Sequence, residues 1–239
     1  MSVSRLIAAG FFLAFTFLNY SCAELPKDQH GTVDGIKQSG RMRIGLIENP
    51  PWVIRTSDEP AGAEVELMRR FASQLGVAPE WHWGGDEDLF GALEIFELDA
   101  VAGGISDETP WSKRIGITRY YFRENFDVGV DAGQPIDDLK GKTIAVSDRR
   151  LAGLIRQEGG TPAIAASLRN LPKGRPVAAA DWQLAQIGLI AGGFDLHSDR
   201  HVIAVPPGEN QLVKRLEEFL SSQHEELPAL LASQPEVNQ

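Results

Sequence analysis

A short apolar strand that ends in two prolines and a tryptophan constrains the fold of this chain most. Within the stretch from Arg41 to Trp52, Ile44–Ile47 predicts a buried strand, and Pro50-Pro51 then predict a rigid turn that presents Trp52. Gly62 follows, and Ala63–Leu75 has the spacing of an amphipathic helix. In open α/β sheets, ligands bind at the carboxyl ends of strands. The segment therefore predicts an α/β fold with Trp52 at a ligand-facing edge.

The first residues have the pattern of a secretory signal peptide. Arg5 precedes an apolar run over residues 6–18, and the small residues Ser21 and Ala23 follow it. The run falls short of the roughly 20 apolar residues that span a bilayer. We therefore expect export of the mature chain to the periplasm after removal of residues 1–23, with a membrane-anchor helix as the alternative.

Cys22 is the chain's single cysteine and lies at the end of this run. Leu18-Asn-Tyr-Ser-Cys22 is similar to a bacterial lipoprotein site, in which the cysteine is acylated, although the leucine stands one place further away than usual. Ordinary cleavage before Glu24 is the alternative. Either outcome leaves no thiol for a disulfide, a metal or a nucleophile.

Charge excludes one class of partner. Without residues 1–23 the chain has 22 basic and 33 acidic residues, a net charge of −11. Nucleic-acid binding needs clustered lysine and arginine, so we expect no nucleic-acid partner.

The order of strands and helices predicts two α/β lobes. Residues 24–40 are polar and predict a flexible lead-in. Residues 41–124 plus 206–232 predict lobe 1, and residues 130–200 predict lobe 2. The hinge crossings then fall near 125–129 and 201–205, so that a ligand is held between the lobes.

Several short motifs resemble, in order and spacing, the family 3 bacterial extracellular solute-binding proteins. They include the turn at Trp52, Gly62–Leu67, Asp99–Gly104, the Thr109-Pro110 to Tyr121 block and Asp138–Lys142. The resemblance implies a type II two-lobe periplasmic binding protein that captures a small polar, charged or zwitterionic solute. It implies delivery to a membrane permease or sensor, such as an ABC transporter for amino acids. We expect a monomer that has no cofactor and is not an enzyme.

Two departures from the family's pattern bear on specificity. In amino-acid-binding relatives, an arginine two residues after the Thr-Pro turn clamps the ligand carboxylate, but this chain has Ser112 there. The relatives' Gly-Thr-Thr in lobe 2 is replaced by Arg149-Arg150-Leu151. A standard α-amino acid is therefore not the expected ligand.

The predicted lobe 1 contacts are Trp52, Gly104 and Ser106. An indole at a strand end offers a flat face to a solute. Gly104 permits close approach of the backbone, and the Ser106 hydroxyl supplies a polar contact. The alternatives are a core aromatic for Trp52 and a tight turn capped by Ser106.

The predicted lobe 2 contacts are Arg149, Arg150 and Asp181. Two arginines that open a helix after a strand favour a carboxylate, and Asp181 stands where relatives hold the ligand's ammonium. A solvated arginine pair and a plain helix cap for Asp181 are the alternatives. The histidines have no zinc-ligand spacing, so we expect no metal.

Two other functions stay open from the sequence. One is a dehydratase-like periplasmic enzyme, for which Glu48, Glu108 and Asp181 supply acids without a clear constellation. The other is a degenerate module that regulates a membrane partner without binding a solute. The missing arginine supports the second alternative.

Overall fold

The computed structural model describes residues 27–147 and 149–234, and these fold into a curled ten-stranded sheet with helices on its faces. The strand order is β2-β1-β3-β10-β5-β8-β6-β7, with β4 on β10 and β9 on β5. The strands are β1 Arg41–Leu46, β2 Ala78–Trp83, β3 Ala100–Ser106, β4 Gly116–Ile117, β5 Phe122–Val130, β6 Thr143–Val146, β7 Thr161–Ile164, β8 Val177–Ala180, β9 Ile190–Ala191 and β10 His197–Val205. The helices are α1 Thr32–Ser39, α2 Ala63–Leu75, α3 Asp86–Glu94, α4 Arg149–Gln157, α5 Asp181–Gln186, α6 Asn210–Ser222 and α7 Leu227–Ser233.

Lobe 1 is built on β1, which is parallel to both β2 and β3. One face of this sheet is covered by α1, α2, α6 and α7, and their buried side chains form the largest core cluster. The other face is covered by α3 and by a short 3-10 helix, Pro110–Lys113, around a second cluster. Both faces are buried at the centre of this sheet, which explains why β3 is apolar on both sides.

Lobe 2 repeats this arrangement on a smaller scale. Strand β6 lies between β7 and β8, parallel to both. Helix α4 covers one face with Leu151 and Ile155, and Leu184 of α5 lies on the other. Two separate buried clusters therefore stabilise this half. The described residues thus form a two-lobe α/β protein, the fold class that the sequence predicts.

The two lobes are joined by β5 and β10, nine-residue strands that pair antiparallel to each other. Strand β10 also pairs with β3 of lobe 1, and β5 also pairs with β8 of lobe 2. The predicted crossings near 125–129 and 201–205 fall inside these strands. The lobe boundaries and the bending positions themselves stay predictions.

The predicted flexible lead-in over residues 24–40 is wrong for its described part. Residues 32–39 form α1, and Val33 and Ile36 are buried in the lobe 1 core. Asp28 accepts the N–H groups of Gln211 and Leu212 at the start of α6, at 2.7 and 3.0 Å. Two apolar residues three apart suffice to dock this helix, although its overall composition is polar.

The helix-cap alternative for Asp181 also differs from the structure. Asp181 is the first residue of α5, where it faces the positive end of the helix dipole, and Ala180 occupies the N-cap position. The signal-peptide and Cys22 predictions lie outside the described residues. Within residues 27–147 and 149–234, no helix has the length and apolar character needed to cross a membrane.

Candidate functional site

A pocket of about 520 Å³ lies at the carboxyl ends of β1 and β3, on the edge of lobe 1. This is the edge at which a parallel sheet presents its loops, and the volume is within the range of small-molecule sites. The lining comes from four segments of lobe 1: Ile47, Glu48 and Asn49; Asp86 and Phe90; Gly103, Gly104, Ile105 and Ser106; and Glu108, Thr109 and Pro110. Gly104 and Ser106, two predicted contacts, thus lie together in it.

The floor of the pocket is the Gly103-Gly104 segment at the end of β3. A Cβ atom on Gly103 would lie 2.5 Å from the Cβ atom of Ile47, closer than packed atoms approach. Gly104 has φ +65°, and a Cβ atom there would lie 2.5 Å from the Asn49 amide and 2.9 Å from the indole of Trp52. Both positions therefore require glycine, one for space and one also for its left-handed backbone.

Glu64 lies behind this floor and is fully buried. Its Oε2 atom accepts the N–H groups of Gly103 and Gly104 at 2.6 and 2.9 Å, and its Oε1 atom accepts the hydroxyl of Tyr121. Burial raises the pKa of the Glu64 carboxyl, while these hydrogen bonds and the nearby His201 oppose the rise. The carboxyl group thus fixes the direction of two peptide units under the pocket.

Trp52 is only 3% exposed, which corrects the prediction that its indole is open to a solute. The ring stacks on His201 with centroids 4.0 Å apart and lies 5.7 Å from the ring of Phe122. Its backbone carbonyl accepts the N–H of Glu64. Trp52 therefore closes the space between the pocket floor and the strands that join the lobes, as its core-aromatic alternative predicts.

A chain of polar contacts continues from Trp52 into lobe 2. His201 Nε2 lies 3.0 Å from Glu124 Oε2, and the indole N–H of Trp182 donates to Glu124 Oε1 at 2.8 Å. His201 and Glu124 are buried at the crossing of β10 and β5, and Trp182 belongs to α5. Among the described atoms, the buried Nδ1 of His201 has no hydrogen-bond partner. This network ties α5 to the joining strands.

Arg150 does not reach the pocket. Its guanidinium donates to Asp199 at 2.6 Å and lies over the ring of Phe126 at 4.7 Å. Asp199 also contacts His197 at 2.8 Å. Burial tends to raise the pKa of Asp199, but the hydrogen bonds from Arg150 and His197 outweigh it, so the pKa is lowered.

Arg149 and Asp181 are exposed and also lie outside the pocket lining. Asp181 accepts a hydrogen bond from the Asn125 amide at 3.3 Å. Partial burial, and then the charges of Asp127 and Asp195, raise its pKa. Among the described residues, lobe 2 contributes nothing to the pocket lining, so the structure does not bring together the six predicted contacts.

The ionised side chains in the pocket lining are all carboxylates, those of Glu48, Asp86 and Glu108. Glu48 is paired with Arg55 at 3.3 Å, and both are about half exposed. In the described part of the chain, no group of histidine, cysteine and acidic residues is arranged to hold a metal. The site is thus suited to hydrogen bonding and charge recognition.

Sequence reasoning missed Glu64, although a signal was present. Glu64 lies on the same helical face as Leu67, Met68 and Phe71, so that a carboxyl group stands in an apolar stripe. Glu66, two residues later, points to the surface and pairs with arginines of its own helix. Partners for a buried acid must come from elsewhere in the chain, and here they come from β3 and Tyr121.

The profile of bacterial extracellular solute-binding proteins, family 3, matches residues 42–230 of this sequence. The chain belongs to this family. The match confirms the resemblance on which the sequence interpretation depends, and it covers both lobes and the joining strands.

Solved structures agree with this fold. The chain superimposes on an ancestral cationic amino acid solute-binding protein with a TM-score of 0.65 at 14% identity, covering 83% of this chain and 98% of that one. An ancestral cyclohexadienyl dehydratase matches with a TM-score of 0.61 at 16% identity, covering 88% and 99%. Identities this low establish the fold and carry no ligand or activity over to this chain.

A curated relative is similar in sequence over part of its length. The membrane-bound lytic murein transglycosylase F of Yersinia enterocolitica is 31% identical over 127 residues, which are 50% of this chain and 26% of the relative. The matching part of this chain thus spans about a quarter of the length of that relative.

Proposed function

We propose that this family member is an exported solute-binding module that captures a small polar, charged or zwitterionic solute between its lobes. The observation that carries the proposal is the pocket at the carboxyl ends of β1 and β3, with its glycine floor and polar rim. Clefts of this size at this edge of an α/β sheet are the usual place for a small ligand.

In this proposal, the solute lies on the lobe 1 floor and lobe 2 closes over it. Closure removes water from the pocket and thereby strengthens the hydrogen bonds to the solute. A membrane permease or sensor then recognises the closed form. Export depends on the predicted signal peptide, and mass spectrometry of the mature N-terminus tests both cleavage and acylation of Cys22.

A second candidate is a regulatory module for a membrane-associated partner. The sequence similarity to part of a membrane-bound lytic murein transglycosylase favours it, and so does the pairing of Arg150 with Asp199 in place of a solute. A third is catalysis like that of a dehydratase, because an ancestral cyclohexadienyl dehydratase has the same fold.

Thermal unfolding of the mature protein against a panel of amino acids, amines, carboxylic acids and muropeptides separates these candidates. A ligand that binds only the folded state raises the melting temperature by mass action. We expect a rise with at least one solute and no change in that solute by mass spectrometry. Turnover would favour the enzyme, and the absence of any rise would favour a module that binds no solute.

A further inference from the structure

The direction of the backbone donors at the pocket floor bears on what kind of solute fits there. A carboxylate is usually recognised by free N–H groups or by arginine. At the end of β3 the N–H groups of Gly103 and Gly104 both point to the buried Glu64. They are therefore not available to a solute on the other side of the floor.

The carbonyl groups of the same peptide units have the opposite direction, and the Ala102 carbonyl accepts the N–H of Ile47 at 2.9 Å. Because a trans peptide directs its C=O away from its N–H, the carbonyl of Gly103 faces Asn49, whose amide donates to it at 3.0 Å. That bond uses an N–H of Asn49, a residue of the pocket lining, whose side-chain oxygen remains an acceptor. The Gly103 and Gly104 N–H groups thus give the floor no donor for an anion, while Asn49 offers an acceptor.

The acidic residues around the pocket also favour a cation over an anion. Glu48, Asp86 and Glu108 line it, and no lysine or arginine of the described residues does. Arg150, which the sequence suggested as a carboxylate clamp, is held by Asp199 outside the lining. Donor direction and charge are two independent observations, and both disfavour an anion.

We propose that Glu64 determines the ligand class of this pocket: by holding the N–H groups of Gly103 and Gly104, it leaves a site that binds an ammonium or guanidinium group in preference to a carboxylate. Glu64 touches no solute and is a positioning residue. This inference rests on the proposed function, because it assigns the chemistry of the same pocket.

The test is an NMR titration with two small probes, methylguanidine and acetate, on the mature protein and two variants. Glu64→Leu removes both acceptor oxygens, so neither glycine N–H keeps its side-chain partner. Glu66→Leu is the matched control, since Glu66 lies on the same helix but pairs with Arg69 and Arg70 at the surface. Pocket resonances of Asn49, Gly104 and Ser106 report binding.

In the wild type and in Glu66→Leu, we expect methylguanidine at millimolar concentrations to shift the pocket resonances, with acetate at least about tenfold weaker. In folded Glu64→Leu, we expect this preference to fall about tenfold, because both glycine N–H groups lose their acceptor and become available to an anion. A change of stability alone would not alter the ratio of the two affinities. Equal or tighter binding of acetate to the wild type, an unchanged preference in Glu64→Leu, or no shift with either probe would overturn the proposal.

Hydrogen exchange of the wild type keeps the inference testable if Glu64→Leu does not fold. The Gly103 and Gly104 amides are expected to exchange slowly despite their place beside the pocket, since Glu64 holds them, and fast exchange would contradict the arrangement. The thermal panel separates the two proposals. If an anionic solute raises the melting temperature, the solute-binding function stands and the ligand class falls.

Discussion

The two lobes use the same pattern at the groove, a strand followed by a turn and a helix, but their polar groups point in different directions. On lobe 1, the buried carboxyl group of Glu64 holds the glycine floor from the core side, and the other side of the floor faces the pocket. On lobe 2, Arg150 at the start of α4 is satisfied by Asp199 of β10. The lobe 1 half of the site is thus preformed, whereas the lobe 2 half is engaged with its own chain.

The largest expected effect concerns the two tryptophans near the joining strands. Trp52→Ala should lower the free energy of unfolding by about 3–5 kcal/mol, since the ring is buried on His201. Trp182→Phe, in lobe 2, should cost only roughly 1.5 kcal/mol, because it chiefly removes the hydrogen bond to Glu124. Urea unfolding followed by circular dichroism measures both. Similar losses for the two variants would contradict the burial of the Trp52 indole in the lobe 1 core.

The burial of Trp52 also shows which features the sequence predicts and which it does not. Helix α2 has the predicted extent, Ala63–Leu75, because apolar periodicity is a local property. Strand β1 lies where it is predicted but begins at Arg41, before the apolar residues of the predicted Ile44–Ile47. The stacking partner of Trp52, His201, comes from the far end of the chain. Nothing near Trp52 in the sequence indicates whether its ring faces solvent or a distant histidine.

The same limit applies to the charged residues of both lobes. The partners of Glu64 lie 39, 40 and 57 positions away, and the carboxylate partner of Arg150 lies 49 positions away. A local pattern shows that an arginine pair opens a helix, but it does not show which carboxylate already holds one of them. The fold was therefore predictable from short segments, and the direction of the site side chains was not.

The second prediction concerns Glu64 and pH. Burial is the largest effect on the Glu64 carboxyl and raises its pKa above the ordinary value of 4.5. The stability that Glu64 contributes is therefore fully present below pH 4.5 and is lost as the pH rises through the raised pKa. Glu64→Gln should be less stable than the wild type by about 1–3 kcal/mol at pH 4.5, because its amide nitrogen must face either the Tyr121 hydroxyl or the two glycine N–H groups, and a buried donor then loses its acceptor. The difference should shrink at higher pH.

Urea unfolding of the two proteins across this pH range measures that difference, with Glu66→Gln as the control. The pKa of Glu66 is lowered, since its hydrogen bonds to Arg70 and Arg69 outweigh burial, so its contribution instead persists at higher pH. A stability difference for Glu64→Gln that grows as the pH rises from 4.5 would contradict the buried environment described for this carboxyl.

The smallest expected effect is in lobe 2. The lowered pKa of Asp199 means that its contribution to stability is present above the ordinary value of 3.8 and is lost as the pH falls through the lowered pKa. Arg150 is about half exposed, so Asp199→Asn should cost less than about 1 kcal/mol at neutral pH. The same substitution frees Arg150 for a solute carboxylate.

The measurement for Asp199→Asn is a repeat of the thermal panel beside the wild type. We expect carboxylic acids to raise the melting temperature of the variant more than that of the wild type, whereas amines should affect both equally. If carboxylic acids act equally on the two proteins, the Arg150–Asp199 pair does not limit anion binding in lobe 2.

A crystal structure of the mature protein with the solute that most raises its melting temperature tests the central claim most directly. We predict density for that solute against Asn49, Gly104 and Ser106, between the two lobes. The described residues have another pocket, of about 440 Å³, beside His30 and Phe96 near Arg41, at the amino-terminal end of β1. Density in that pocket with none at the end of β3 would contradict the account.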